Sequence, residues 1–505
     1  MSSLKPQPQA LTLASRIVSG LLWGQALRIV EIGTSLVFLL LVVRRLGPER
    51  YGLFALIVNV CSIGVLLSGQ GFSETLGKFL PQIRVDDGLA SAARAARRIL
   101  SRNALLVAAF CVLLWLFRIP IGRFLNCSQA LSCWPLVLAF FVSQSAYLGM
   151  SMVNVGLMKV GLVCAAGSLM NVLALGLAII GLVVYPASVT IIICASVLAF
   201  LVSALVFTLA TPELLSRGAD KVDMTPMWRF SNRAWLVKLA SYAVSGEMMV
   251  LLIAWRLGDS REIGYFNAAY MPLRRLQILL LGWTLPVLPT LSELFVTRGA
   301  EGVSVAFRLY TKLLIGIVVP VCGFVTLHGD RLITILFSKA FLPAALPLRV
   351  YSAVWLIAAM LGSGLTMHVL FSLDRARIAA MIRLGVALVS MLAAYFLVAA
   401  FQSLGAMLAA GLALILTAIF DLLAMSKLVQ LRLPWAYTAK VLVSSGAALG
   451  LSLLFAPKNL FGILCCGVAY VLVYGMLVSR LKPLEMAEKD ILLKHPGIAK
   501  VIAYL

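Results

Sequence analysis

Residues 163–184 read VCAAGSLMNVLALGLAIIGLVV and residues 188–210 read SVTIIICASVLAFLVSALVFTLA, with only Tyr185-Pro186-Ala187 between them. Neither run carries an acidic or basic side chain. A helix needs roughly 20 apolar residues to cross about 30 Å of hydrocarbon, and each run supplies them. A three-residue turn between two such helices forces them to lie antiparallel as neighbours. Working outward, apolar runs of this kind recur at 17–43, 51–72, 100–117, 134–153, 234–256, 265–288, 308–327, 348–371, 378–400, 404–426, 436–456 and 460–479. The chain of 505 residues thus divides into about fourteen predicted membrane spans.

The composition agrees with that division. Hydrophobic residues make up 62% and charged residues 12%, and mean hydropathy is +1.03. Soluble domains are about 45–50% apolar and about 25% charged. The sequence therefore predicts an all-α integral membrane protein with almost no mass outside the bilayer. The first fifteen residues are polar, with Pro6 and Pro8, and no short apolar region with a cleavage site precedes the first span. That span is expected to insert and remain.

A formal net charge of +23 on a soluble chain would suggest nucleic acid. Here the excess of Lys and Arg belongs to cytoplasmic loops, so membrane lipids are expected as partners and nucleic acid is not. With the N-terminus inside, the second loop brings Arg84, Arg94, Arg97, Arg98 and Arg102 to the cytoplasm. The sixth brings Arg217, Lys221, Arg229 and Arg233, and the tail brings Arg480, Lys482, Lys489, Lys494 and Lys500. This side leads in basic residues by about two to one, and an even number of spans returns the C-terminus to the cytoplasm. Segment 84–102, rich in Ala, Arg and Ser, reads either as an amphipathic helix on anionic headgroups or as a solvated connector. Cys127 and Cys133 share an outer loop where a small disulfide could close, but the other seven cysteines form no disulfide framework.

The chain repeats itself after about 210 residues. The first span ends Val43-Arg44-Arg45-Leu46-Gly47 and is followed by Tyr51-Gly52-Leu53-Phe54. The seventh ends Trp255-Arg256-Leu257-Gly258 and is followed by Ile263-Gly264-Tyr265-Phe266. The next span closes near Leu80-Pro81 in one half and Leu288-Pro289 in the other. The same offset aligns Arg28 with Lys238. Three regions follow: 1–215 with helices one to six, 216–430 with helices seven to twelve, and 431–505 with two further helices and a basic tail.

A charge at the bilayer centre costs about 2.5–3.5 kcal/mol on insertion scales, so those that remain face a cavity or a partner. The spans hold Arg28, Glu31, Glu74, Lys238, Glu247, Arg274, Arg275, Lys312, Arg383 and Asp421. Arg28 and Glu31 are three apart and can pair on one face. Glu247 is too far along the helix to pair with Lys238. We read Arg28, Lys238, Arg274 and Arg275 as candidates for a cationic, substrate-binding lumen, since Arg suits phosphate oxygens. Glu31, Glu74, Glu247 and Asp421 are candidates for ion coupling or for pairing with these bases. Lys312 and Arg383 lie near helix ends and read as snorkelling or buried pairs.

His328, His368 and His495 show no metal-ligand spacing to one another or to cysteine, and no cofactor or metal is expected. Gly71 to Gly77-Lys78 has one residue too many for a phosphate loop, and Phe79 stands where Ser or Thr is required. No Gly-x-Ser-x-Gly elbow occurs. The outer segments near 118–133 and 328–347 are too short to fold an active site, so an enzyme is not expected.

The run Arg45-Leu46-Gly47-Pro48-Glu49-Arg50-Tyr51-Gly52-Leu53-Phe54-Ala55-Leu56 resembles the polysaccharide transporter family, which includes the Wzx-type O-antigen flippases. These sit within the multidrug/oligosaccharidyl-lipid/polysaccharide exporter superfamily. Gly71-Phe72-Ser73 through Phe79-Leu80-Pro81, Gly264-Tyr265-Phe266-Asn267-Ala268-Ala269, Leu288-Pro289-Thr290-Leu291-Ser292, Ser372-Leu373-Asp374-Arg375-Ala376-Arg377 and Leu404-Gly405-Ala406-Met407 fit in order, covering nearly the whole chain. The resemblance implies two pseudo-repeated six-helix lobes around a central cleft, plus two C-terminal helices. It implies translocation of undecaprenyl-diphosphate-linked oligosaccharide across the bacterial inner membrane by alternating access. A polysaccharide polymerase and a chain-length regulator would then be partner proteins. A cation-coupled multidrug exporter of the same superfamily is the alternative. A lipid-linked peptidoglycan precursor flippase would differ only in cargo, and a glycosyl polymerase or ligase would need large outer loops that this chain lacks.

Overall fold

A computed structural model describes the backbone of residues 8–125, 133–215, 223–281, 287–373, 375–429, 433–455, 457 and 459–481. Side chains are described for these apart from 8–29, 85, 160, 215, 278–281, 287–298, 300, 368, 371–372 and 376. The helices are α1 (Pro8–Ser68), α2 (Phe72–Asp86), α3 (Gly88–Leu116), α4 (Arg118–Phe124), α5 (Trp134–Gly156), α6 (Val160–Val184), α7 (Val189–Leu209), α8 (Thr225–Ala243) and α9 (Gly246–Leu257). They continue as α10 (Ser260–Leu281), α11 (Val287–Leu336), α12 (Ala345–Met360), α13 (Thr366–Ser372), α14 (Ala376–Ser426), α15 (Trp435–Ser452) and α16 (Leu460–Leu481). Each of the fourteen spans read from the sequence overlaps one or two of these helices in its described residues, and no strand occurs among the described residues. The all-α membrane architecture is therefore as expected.

Nine of the described helices are long and apolar enough to cross a membrane, and the broken pair α8 and α9 makes a tenth. Two of the nine, Val30–Ser68 and Arg377–Ser426, hold two spans each. A straight helix of 39 residues would run about 58 Å, nearly twice the hydrocarbon thickness. Each is instead interrupted by one residue with positive φ, Gly47 at 71° and Gln402 at 54°. At the second interruption the chain doubles back. A Cβ on Gly405 would collide with the backbone of Leu397, an approach that no straight helix allows. The N–H of Ser403 then donates to the Glu262 carboxylate at 3.0 Å, which caps one of the donors exposed where a helix begins.

Gly47 and Gly258 occupy equivalent places in the sequence repeat. Both follow Arg-Leu and both take left-handed φ, 71° and 66°, which glycine adopts without steric penalty. Their ψ values differ, 176° at Gly47 and 11° at Gly258, so the two glycines share a positive φ but end their helices differently.

The chain forms two compact units, residues 1–239 and 240–505. Within the first, Arg50 donates to the Ala187 carbonyl at 2.9 Å, so the first and fifth connections lie at one end. At the other end, Arg84 reaches the Leu157 carbonyl and Lys159 pairs with Glu213 at 3.0 Å. The second, fourth and sixth connections therefore lie together. Burial opposes the charge on Glu213, but a backbone hydrogen bond and the Lys159 ammonium hold its carboxyl below the usual carboxylate range. In the second unit, Arg331 donates to the Phe455 carbonyl at 3.1 Å, joining the ninth and thirteenth connections. This is the pattern of helices that run alternately up and down.

Segment 84–102 is mostly helical and continuous with the span that follows it. Ala92, Ala93, Ala95, Ala96 and Ile99 of α3 are buried against Phe72, Leu76, Leu80 and Ile83 of α2. Small alanines let the two helices approach closely. Arg98 remains exposed while Arg94 and Arg97 are half-buried. The segment is a packed helical hairpin arm, with its apolar face spent on α2.

The last helix, α16, is tied to α11 at a proline. Pro320 has no N–H, so the Gly316 carbonyl loses its helical donor. The Tyr474 hydroxyl of α16 donates to that carbonyl at 2.7 Å, and Tyr470 donates to the Pro320 carbonyl at 3.0 Å. Tyr474→Phe should lower stability by about 1–2 kcal/mol, the penalty of a buried acceptor left without a partner. Thermal melting in detergent by size-exclusion recovery checks it, and an unchanged midpoint would argue that the kink needs no cap.

Candidate functional site

In the first unit the chain breaks at the end of α1, and α2 restarts after Gly71, whose φ is 70°. Adding a Cβ to Gly71 would bring it to 2.9 Å from the backbone N of Trp235. The glycine is therefore required by its conformation and by the close seat of α8. Around it, Ser231 donates to the Gln70 carbonyl and the Trp235 indole donates to the Leu66 carbonyl at 3.0 Å. These carbonyls lie at a helix end where intrahelical donors have run out. One turn further along α8, Lys238 Nζ meets Glu74 Oε1 at 2.6 Å. The two side chains are 39% and 37% exposed, open enough for a ligand to reach. Glu74 Oε2 is buried without a hydrogen bond. Nearby, the Arg102 guanidinium lies 4.4 Å from the Trp228 ring centre and Lys78 lies 4.4 Å from that of Phe230, both cation–π distances.

The second unit repeats this arrangement. The span read at 234–256 is broken between α8 and α9, and α9 begins at Gly246. The Gly246 N–H donates to the Tyr270 hydroxyl at 3.3 Å, and a Cβ at Gly246 would strike that ring. Glu247, in the first turn of α9, lies 3.5 Å from Arg274 Nε. Arg274 is 39% exposed and Glu247 20%, and Glu247 Oε2 is again buried without a hydrogen bond. Phe266, Tyr270 and Arg274 are spaced by four on α10, one helix face. Phe266 and Tyr270 stack at 5.5 Å, and Tyr351 meets Tyr270 edge-on at 5.5 Å. Arg275 is half-buried beside them.

A family model described as polysaccharide biosynthesis protein matches residues 17–295, more than half of the chain. The chain belongs to the polysaccharide biosynthesis protein family. No curated protein matches the sequence. Among solved structures, this member of the family is similar to the lipid II flippase MurJ in its inward closed conformation. That match has a TM-score of 0.71 and 12% identity, covering 92% of this chain and 98% of that one. It is also similar to an inward-facing multidrug resistance transporter of the MATE family and MOP superfamily, with a TM-score of 0.63 and 16% identity, over 80% and 94% of the chains. A MOP superfamily transporter from Pyrococcus furiosus Vc1 has a TM-score of 0.57 and 14% identity, over 82% and 94%. At these identities the likeness is one of fold, an all-α membrane architecture of about fourteen helices.

The remaining sequence candidates in this family member fall in different places. Glu31 lies against Gly167 of α6, where no side chain intervenes. The Arg28 side chain, its candidate partner, lies outside the described residues, as do Cys127, the side chain of His368, and His495. Asp421 lies in the second unit and pairs with Arg383. It is fully buried, 3.2 Å from Arg383 Nη2, and its Oδ2 also accepts from Thr366 at 3.0 Å. Lys312 is buried near the Tyr437 ring at 5.7 Å. Among the described residues no group of three or more His, Cys, Asp or Glu could hold a metal. Tyr270, Tyr351, Trp228 and Phe230 were not among the sequence candidates. The four-residue spacing of Phe266, Tyr270 and Arg274 was the signal available.

Proposed function

We propose that this protein moves undecaprenyl-diphosphate-linked oligosaccharide repeat units across the bacterial inner membrane by alternating access, with both termini in the cytoplasm. The cargo serves exopolysaccharide, capsule or O-antigen synthesis, and a polymerase and a chain-length regulator would act on it after transfer. The observation that carries this reading is the pair of accessible cations, Lys238 and Arg274, one in each unit of a polysaccharide biosynthesis family member. Each pairs with a single carboxylate oxygen on a helix that starts at a break in the chain. A diphosphate offers more oxygens than that carboxylate does, and guanidinium and ammonium groups favour such acceptors. Arg28 and Arg275 would each add positive charge within their own unit. The fold likeness to a lipid II flippase supports a lipid-linked cargo in general.

A second reading is a cation-coupled multidrug exporter, favoured by the likeness to MATE transporters. Many drug cargoes are cationic and could not replace the carboxylates that pair with Lys238 and Arg274. Deleting the gene separates the two. On the first reading surface polysaccharide is lost and undecaprenyl-linked oligosaccharide accumulates inside spheroplasts. Normal polymer with altered drug tolerance would instead establish the exporter.

A further inference from the structure

The ion pairs of this protein fall into two kinds. Asp421 engages Arg383 and Thr366 through both oxygens, and neither charged side chain exceeds 9% exposure. Among the described residues, Glu74 and Glu247 each engage their cation through one oxygen, while the other is buried without a hydrogen bond. Both cations in these half-made pairs are 39% exposed. Both glutamates lie in the first turn of a helix that starts at a break, α2 after Gly71 and α9 at Gly246. The same under-satisfied arrangement is thus built once in each unit, from residues far apart in sequence.

We propose that Glu74 and Glu247 are placeholders for the anionic group of the cargo. Without cargo they neutralise Lys238 and Arg274. A diphosphate then takes over each cation, and the carboxylate swings aside. A buried oxygen without a hydrogen bond is penalised, which makes each carboxylate an inferior partner and exchange easy. Part-exposed pairs are weakly held, so the exchange needs little of the cargo's binding free energy. This proposal rests on the cargo reading above.

The test is binding of farnesyl diphosphate, with farnesol as the uncharged control, to the full chain purified in detergent. Glu74→Gln and Glu247→Gln, which keep size and remove charge, should each tighten diphosphate binding about two- to fivefold and leave farnesol unchanged. If either variant is not monodisperse, the corresponding aspartate is measured in its place, with the same expected sign because its shorter arm withdraws the carboxylate. Equal or weaker diphosphate binding in both glutamate variants overturns the placeholder role. If Lys238→Gln and Arg274→Gln weaken binding in that case, the cargo reading stands without it. If wild-type protein binds no diphosphate, or those two variants bind it as well as wild type does, both proposals fall together.

Discussion

Asp421→Ala is expected to destabilise the protein by about 3–5 kcal/mol, because it leaves a buried charge without its partner. Arg383 is 9% exposed and Asp421 is fully buried. The guanidinium is held by Asp421 at 3.2 Å and by the Ala379 carbonyl at 2.8 Å. Removing the carboxylate leaves Arg383 charged in an apolar setting, and arginine cannot shed its proton. Arg383→Leu should be milder, since a stranded carboxyl can be neutralised by a proton and still has Thr366 to bond. The double variant Asp421→Leu with Arg383→Leu should recover most of the loss, as apolar replacements of buried pairs often do. The readout is the amount of protein in membranes and its melting midpoint in detergent. If Asp421→Ala melts like wild type, the pair is not a structural element. If the double variant melts no higher than Asp421→Ala, charge pairing is not what the site supplies.

How legible this was depended on the range of the interaction. The apolar runs fixed the spans because bilayer thickness dictates their length, and the turn at 185–187 could be read directly. The Arg-Leu-Gly stops were legible too, since glycine after a helix reports positive φ. The break in the span read at 348–371 was less so, although Gly362 and Gly364, with φ of 75° and 90°, mark where α12 ends and α13 has yet to begin. The helical character of 72–102 was present in the spacing of Phe72, Leu76, Leu80 and Ile83 but was masked by the polar residues between them. The pairings were illegible. Lys238 finds Glu74 across different helices and Arg383 finds Asp421 across the reversal at Gln402 within α14, and a single sequence encodes neither contact. Sequence spacing could only exclude Glu247 as the partner of Lys238, and in the structure Glu247 pairs with Arg274 instead.

Lys238→Glu and Arg274→Glu should each abolish export while the protein still inserts and accumulates. Both parts follow from the geometry. The pairs with Glu74 and Glu247 are part-exposed, and such pairs contribute about 0–1 kcal/mol to stability, so the fold tolerates their loss. That separates them from Arg383, whose reversal should deplete the protein itself. The effect on transport is larger than the effect on folding because the new carboxylate both removes a bond to the cargo and adds repulsion. A charge-assisted hydrogen bond is worth about 1.5–3 kcal/mol, which alone corresponds to roughly a tenfold to a hundredfold loss of affinity. Repulsion between the new carboxylate and a diphosphate adds to this. The measurement is surface polymer in a deletion strain carrying each variant, with membrane abundance determined in parallel. Full polymer from Arg274→Glu at normal abundance would remove that residue from the cargo path. Loss of polymer only in step with loss of protein would reassign both cations to the support of α8 and α10.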